Sequence, residues 1–251
     1  MTQEAFIKIL DKKKYSYKIE GDKIVVTHKD NVDLGSLTSL PRGVVFRNEG
    51  YVYFNSLTSL SPDVEFNNVG YVNFEFLRGT LPHGVVFKNE GDVFLTYLNY
   101  LSHDVDFRNG GHVSLRSLSS LPPGVEFNNG GHVNLRDLTS LPPGVVFNNE
   151  GYVELESLTS LPPGVEFKNG GHVFLKSLTS ISPGVEFKNE GNVRLDSLTS
   201  LPPGVVFKNG GVVKLNALIG EFNNFNKWQG NIKGIASKRL LNVIIKQGVF
   251  I

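Results

Sequence analysis

The sequence predicts a mainly β, elongated repeat β-solenoid of about ten 20-residue coils, closed by a helix and hairpin at its N-terminal end and by a helix at its C-terminal end. Three observations predict it. Residues 125–144, VEFNNGGHVNLRDLTSLPPG, have close copies before and after them at a spacing of twenty residues. Self-similarity at such a period marks units too small to bury an apolar face alone, which must stack on their neighbours. Within the unit, Val125, Phe127, Asn129, Gly131, Val133 and Leu135 share one parity, and alternate residues of an extended chain point to the same side. The third observation is turn chemistry at fixed places: Pro142, Pro143 and Gly144 at one corner, Asn129 to Gly131 at another. Proline fixes φ and removes a ladder donor, and glycine accepts the left-handed region.

Residues 2–14 read as an amphipathic helix with Ala5, Phe6, Ile9 and Leu10 as its apolar stripe and the lysines at 12–14 at its C-terminal end. Residues 15–20 and 23–28 follow as two strands joined by Gly21 and Asp22, a hairpin leading into the first coil. The organisation is therefore 1–23 as N-terminal cap, 24–220 as solenoid and 221–251 as C-terminal helical cap. Coil one starts near Ile24, and later coils start at Val44, Val64, Val85, Val105, Val125, Val145, Val165, Val185 and Val205. One interval is a residue longer, through Arg78, Gly79 and Thr80. There Phe76, Tyr97, Asn99 and Tyr100 replace the usual Ser and Thr. After the repeat, an irregular stretch with the only tryptophan, Trp228, leads to a helix capped by Ser237 and running to about Gln247.

Each coil should hold two firm strands. Beyond them the parity slips by one, placing Leu138 and Leu141 three apart, which suits a bend and a short irregular segment. The corner glycine recurs as Gly50, Gly70, Gly91, Gly111, Gly131, Gly151, Gly171, Gly191 and Gly211, where a side chain does not fit. Where the other corner ends in Asp63 or Asp104 instead of Gly, a left-handed residue is still expected. Two residues before each recurring glycine stands an inward Asn, from Asn48 to Asn209; His28 takes its place in coil one. A buried amide must be hydrogen-bonded, so these form a structural ladder, bonding to one another and to corner backbone groups.

Composition narrows the function. A net charge of +1 favours neither a polyanionic partner nor mimicry of nucleic acid. The chain has no Cys, hence no disulfide and no Cys metal site. MTQEAFIKILDKKK lacks a continuous apolar core, and no stretch approaches eighteen apolar residues, so a soluble cytoplasmic protein is expected.

LTSLP, with a Val-x-Leu or Val-x-Phe strand before it, resembles the leucine-rich repeats of bacterial and bacteriophage proteins. YKIEGDKIVVTHKDNVDL is similar to the opening of a phage-encoded group of them. The likeness covers residues 15–220. It differs in that the Asn lies in Phe-x-Asn-x-Gly, so a horseshoe and a straighter solenoid both stay open. The resemblance implies a binding or structural role, with no catalytic residue to carry over, and the host cytoplasm for a phage-encoded chain.

With inward positions fixed by packing, function is expected where outward positions vary. On the second strand these include Tyr51, Tyr53, Tyr71, Phe94, His112, Arg116, His132, Arg136, Tyr152, Glu154, Phe174 and Arg194. Tyr, Phe and Arg are enriched where proteins bind proteins, so a protein partner is expected there, with no nucleic acid, membrane or cofactor. The alternative is a solvated sheet with cross-strand pairs such as Arg136 and Glu156, in a structural or self-assembling solenoid. Three other readings are weaker. His112 and His132 fall one coil apart but have arginines and no carboxylate beside them, which disfavours a metal. Glu154, Glu156 and Asp196 are too dispersed for a polysaccharide-cleaving β-helix. Ser36/Thr38, Ser56/Thr58, Ser157/Thr159, Ser177/Thr179 and Ser197/Thr199 suggest an ice-binding array, but the following Ser-Leu-Pro turns the chain. On the first strand Glu126, Glu166 and Glu186 near Lys168, Lys188 and Lys208 read as charge ladders that keep the sheet soluble.

Overall fold

The computed structural model describes residues 1–217 and divides into two compact units, each a β-solenoid of parallel, in-register strands. The first comprises Met1–Leu118 with Phe127–Gly131; the second comprises Ser119–Glu126 and the described residues from His132 onward. Trp228, the predicted C-terminal helix and the last residues assigned to the solenoid lie outside the described residues.

The first unit opens with helix α1, Gln3–Lys13. Thr2 caps it by accepting the Ala5 N–H at 3.2 Å, and Lys14 ends it in the left-handed region at φ 58°. Phe6 and Leu10 are fully buried. Ala5 of the predicted stripe is instead exposed, while Ile7 is half-buried. Strands β1 (Tyr17–Glu20) and β2 (Lys23–Val26) form the antiparallel hairpin, with Gly21 at φ 64°. β2 then starts the parallel stack by pairing Ile24 with Val44.

From there each coil contributes one strand to each of two sheets. In the first unit the first sheet continues through Val44–Phe46, Glu65–Phe66, Val86–Phe87 and Asp106–Phe107, and the second runs from Val32–Asp33 to Val113–Ser114. In the second unit the corresponding strands run from Val146–Phe147 to Val206–Phe207 and from Val133–Asn134 to Val213–Lys214. The alternation of the sequence is realised: Val, Phe and Leu at the inward positions are all buried. Like residues therefore stack on like. Phe46, Phe66, Phe87 and Phe107 lie in one column with ring centroids 5.2 to 5.3 Å apart, and Phe147, Phe167, Phe187 and Phe207 repeat it at 4.9 to 5.1 Å. Each buried ring contributes about 1.5–3 kcal/mol through apolar area removed from water.

The corners follow the turn chemistry. Gly43, Gly84, Gly124, Gly144, Gly164, Gly184 and Gly204 have φ between 71° and 83°, and Asp63 and Asp104 take the same region at 58° and 66°. The bend after the second strand is closed by i→i−3 bonds such as Leu98 N–H to Leu95 O at 3.1 Å and Leu178 N–H to Leu175 O at 3.2 Å. The longer coil is absorbed beyond that bend: Val72 pairs with Val93, twenty-one on, whereas Thr80 pairs with Tyr100, twenty on. Gly79, at φ 81° with nothing within 4 Å of an added Cβ, takes up the extra residue.

The third side is more regular than two strands per coil would give. Thr80–Leu81 pairs with Tyr100–Leu101, and Ser160–Leu161 with Ser180–Ile181, in short parallel ladders. Once the first two sides are in register the third-side backbones lie at strand spacing as well, and Tyr100 N–H reaches Gly79 O at 2.9 Å. Thr58 and Thr179 hydroxyls donate to the Thr38 and Thr159 carbonyls at 3.1 Å. No described helix is long and apolar enough to cross a membrane.

Candidate partner-binding faces

In the first unit the outward residues of the second strands form an aromatic cluster. Tyr51 and Tyr71 stack with centroids 4.1 Å apart and planes 17° from parallel. Tyr53 meets Tyr71 edge-on, their hydroxyls 2.6 Å apart, and Phe94 meets Tyr71 edge-on at 5.7 Å. Burial, and then the hydrogen bond to Tyr53, push the Tyr71 hydroxyl up to about 12. Six aromatics were expected to stand exposed on the second strands; only Tyr51 does, at 40%, while Tyr53, Tyr71, Phe94, Tyr152 and Phe174 are half-buried. They cover one another because parallel in-register strands hold neighbouring rings at stacking distance. His112 and Arg116 lie on the same unit's second side, both exposed.

In the second unit the face mixes rings and charge. His132 and Tyr152 stack at 3.4 Å, Tyr152 meets Phe174 edge-on at 5.7 Å, and His172 meets Phe174 at 6.0 Å. Burial and the nearby Glu154 carboxylate raise the Tyr152 hydroxyl above its ordinary range. At the end of the strands Glu156 joins two cations: Arg136 Nη2 lies 3.0 Å from one carboxylate oxygen and Lys176 bonds the other. Arg194 pairs with Asp196 at 2.8 Å, which also accepts from Asn216 at 2.8 Å. The expected Arg136–Glu156 pair is thus part of a ladder.

The Lys176 hydrogen bond, with the charges of Lys176, Arg136 and Arg194, holds the Glu156 carboxyl below its ordinary 4.5 despite desolvation. A carboxylate whose value falls on folding stabilises the fold above the unfolded value, and that contribution disappears as pH drops through the lower folded one. Glu156→Gln is therefore expected to cost about 1 kcal/mol at pH 7, with the deficit relative to the native protein closing below pH 4.5. Urea unfolding at pH 7 and pH 3 checks it; an equal deficit at both values refutes the ion-pair origin.

One role was not anticipated from the sequence. The residue after the corner glycine, or after Asp30 in coil one, often carries an acceptor for the N–H twenty residues on. Asn31 Oδ1 accepts from Tyr51 at 2.9 Å, Asp92 Oδ1 from His112 at 2.7 Å, His132 Nδ1 from Tyr152 at 3.0 Å, His172 Nδ1 from Asn192 at 2.8 Å and Asn192 Oδ1 from Val212 at 2.7 Å. His132 and His172 thus each use a ring nitrogen to splice adjacent coils. The recurrence of Asn, Asp and His at one position was the signal.

The first-strand charge ladders form as expected in the second unit, with Glu166 to Lys168 at 2.5 Å and Glu186 bonded to Lys188. At the N-terminal end, Gln3, Asp22, Lys23, Arg42, Asp63 and Glu65 line a polar hollow of about 470 Å³, crossed by Lys23–Glu65 and Arg42–Asp63 pairs at 2.6 Å. Among the described residues no group of three or more His, Asp or Glu side chains could hold a metal ion. No protein-family model, curated protein or solved structure matches the chain.

Proposed function

We propose that this chain is a non-enzymatic binding scaffold, of the leucine-rich-repeat-like kind found in bacteria and phages, working in the cytoplasm and holding a protein partner on the outward face of its second strands. The observation that carries the reading is the contrast between inward and outward positions. Inward residues repeat almost without change and are buried, whereas the outward second-strand positions change from coil to coil and gather tyrosines, Phe94, Phe174 and arginines. Rings already held by stacking lose little conformational freedom when a partner covers them, which is the property of residues that dominate protein interfaces. A surface needed only for solubility would carry charge ladders, as the first-strand face of the second unit does.

Two variants test it, one per unit: Tyr51→Ser with Tyr53→Ser, and Tyr152→Ser with Phe174→Ser. A partner captured from the source-cell lysate by the native chain is expected to bind at least one variant about thirty-fold more weakly, as loss of an interface anchor worth about 2 kcal/mol would give. Far-UV circular dichroism and thermal melts establish that each variant is folded. Native affinity in both folded variants sinks the assignment.

A further inference from the structure

Four of the nine inward asparagines are followed by glycine, as Asn109-Gly110, Asn129-Gly130, Asn169-Gly170 and Asn209-Gly210, and the sequence has no other Asn-Gly pair. The first two lie in the first unit and the last two in the second. Asn-Gly is the dipeptide in which asparagine most readily modifies itself. The following backbone nitrogen attacks the side-chain amide carbon, and glycine alone has no side chain to shield that nitrogen or to resist closing the ring. In the other five coils the next residue is Glu49, Val69, Glu90, Glu150 or Glu190, which obstructs the step. Packing of the amide does not distinguish the two kinds of coil. Asn89 and Asn189 donate to Gly91 O at 2.8 Å and Gly191 O at 2.9 Å, much as Asn109 and Asn169 donate to Gly111 O at 3.0 Å and Gly171 O at 3.1 Å.

The stacked coil restrains this chemistry in three ways. The attacking nitrogen is a ladder donor: Gly110 and Gly130 N–H bond Asn89 O and Asn109 O at 2.8 Å, and Gly170 and Gly210 N–H bond Asn149 O and Asn189 O at 2.9 Å. The leaving nitrogen is held as well. Asn109 Nδ2 reaches Gly91 O at 3.1 Å in addition to Gly111 O, and Asn209 Nδ2 reaches Gly191 O at 3.1 Å and Gly211 O at 2.9 Å. Finally, base and water must enter, yet Asn109, Asn129 and Asn169 are at most 1% exposed and Asn209 is 6% exposed. All three restraints belong to the stack and are lost together when a coil opens.

We propose that Asn109, Asn129, Asn169 and Asn209 are latent self-modification sites, silenced by the stacked coil and released when the coil opens. In an opened coil, base removes the glycine amide proton and the nitrogen bonds to Cγ. The Cγ–Nδ2 bond breaks, and Nδ2 takes a proton from water and leaves as ammonia. Water then opens the succinimide at either carbonyl, giving aspartate or isoaspartate; water is the only co-reactant. Neither product fits the ladder. Aspartate turns an anionic oxygen toward the corner carbonyls, and isoaspartate adds a methylene to the backbone between two strands held in register. An opening that lasts long enough for the ring to close is thereby made permanent.

Peptide mapping by mass spectrometry, after ageing the full chain at mildly alkaline pH, reads each site separately in native buffer and in guanidinium chloride beyond the unfolding transition. In denaturant the four Asn-Gly sites are expected to convert about ten-fold or more faster than Asn89, Asn149 and Asn189, the Asn-Glu controls within the same molecule. In native buffer all four should slow by about thirty-fold or more, because the coil must open first. Asn109→Asp installs one product without ageing, and should lower the urea midpoint at pH 7 or leave a chain that does not fold. Native rates equal to those in denaturant overturn the proposal. So do Asn-Glu sites as fast as Asn-Gly sites in denaturant, or a native-like midpoint for Asn109→Asp.

Discussion

Gly171→Ala is expected to destabilise the second unit by about 3 kcal/mol or more, the upper end of what forced overpacking costs, seen as a large fall in the urea midpoint. A Cβ at Gly171 would stand 2.6 Å from the Tyr152 nitrogen and 2.7 Å from the Gly151 carbonyl carbon. Ordinary contact begins near 3.4 Å, and the atoms met are backbone rather than the end of a side chain that can swing away. They are also tied down. Gly171 N–H donates to Gly151 O at 3.1 Å, and Asn169 donates to the same oxygen at 2.9 Å. A methyl group can enter only by opening the spacing between coils, which strains the ladders on either side. Gly144 is the control. It needs its φ of 75°, but nothing lies within 4 Å of an added Cβ, so Gly144→Ala should cost only the left-handed backbone strain of about 1 kcal/mol. Equal losses at the two positions, or none at Gly171, would refute close backbone approach as the reason for the corner glycine.

These two glycines also show what could be read in advance. The period and the parity identified every inward column, because packing repeats wherever the backbone repeats. The left-handed corner was legible because Asp63 and Asp104 stand among glycines, as Asn and Asp do at such angles. The third-side ladders were not legible. Their two-residue length gives no alternation to detect, and they exist because the other two sides bring the chain into register. Outward direction was likewise evident for Tyr51, Tyr53, Tyr71 and Phe94, but not their mutual cover. That depends on side-chain directions chosen across rungs, which one coil's sequence does not contain. The splice at His132 and His172 was missed because it matters only once the N–H twenty residues on is known to need an acceptor.

The inward asparagines were read correctly as a buried ladder, but their chemistry is more one-sided than amides bonding to one another. Of the two kinds of partner expected, each Nδ2 uses the corner backbone, donating to its carbonyls. Asn169, fully buried, reaches Gly151 O at 2.9 Å, Gly171 O at 3.1 Å and His172 O at 3.4 Å. Asn189 repeats the pattern with Gly171 O at 3.0 Å and Gly191 O at 2.9 Å. Asn169→Asp, nearly identical in volume, is therefore expected to be among the most damaging single changes. It would turn an anionic oxygen toward three carbonyl oxygens in a site closed to water, at a cost of about 3–5 kcal/mol at pH 7.

The pH dependence separates this from loss of packing. Burial beside carbonyls raises the new carboxyl above its unfolded value of about 3.9. The folded state then binds the proton more tightly, so the variant gains stability relative to the native chain as pH falls from 7 towards 4. Once protonated, the acid supplies one O–H donor to a corner carbonyl and recovers part of the loss. Asn169→Leu removes the donor without adding charge, and its deficit of about 1–3 kcal/mol should not change over the same interval. Urea unfolding of both variants beside the native chain at pH 7, 5.5 and 4 tests the pair. A pH-independent deficit for Asn169→Asp, or a native-like midpoint at pH 7, would mean that the amide is not the donor on which the corner depends.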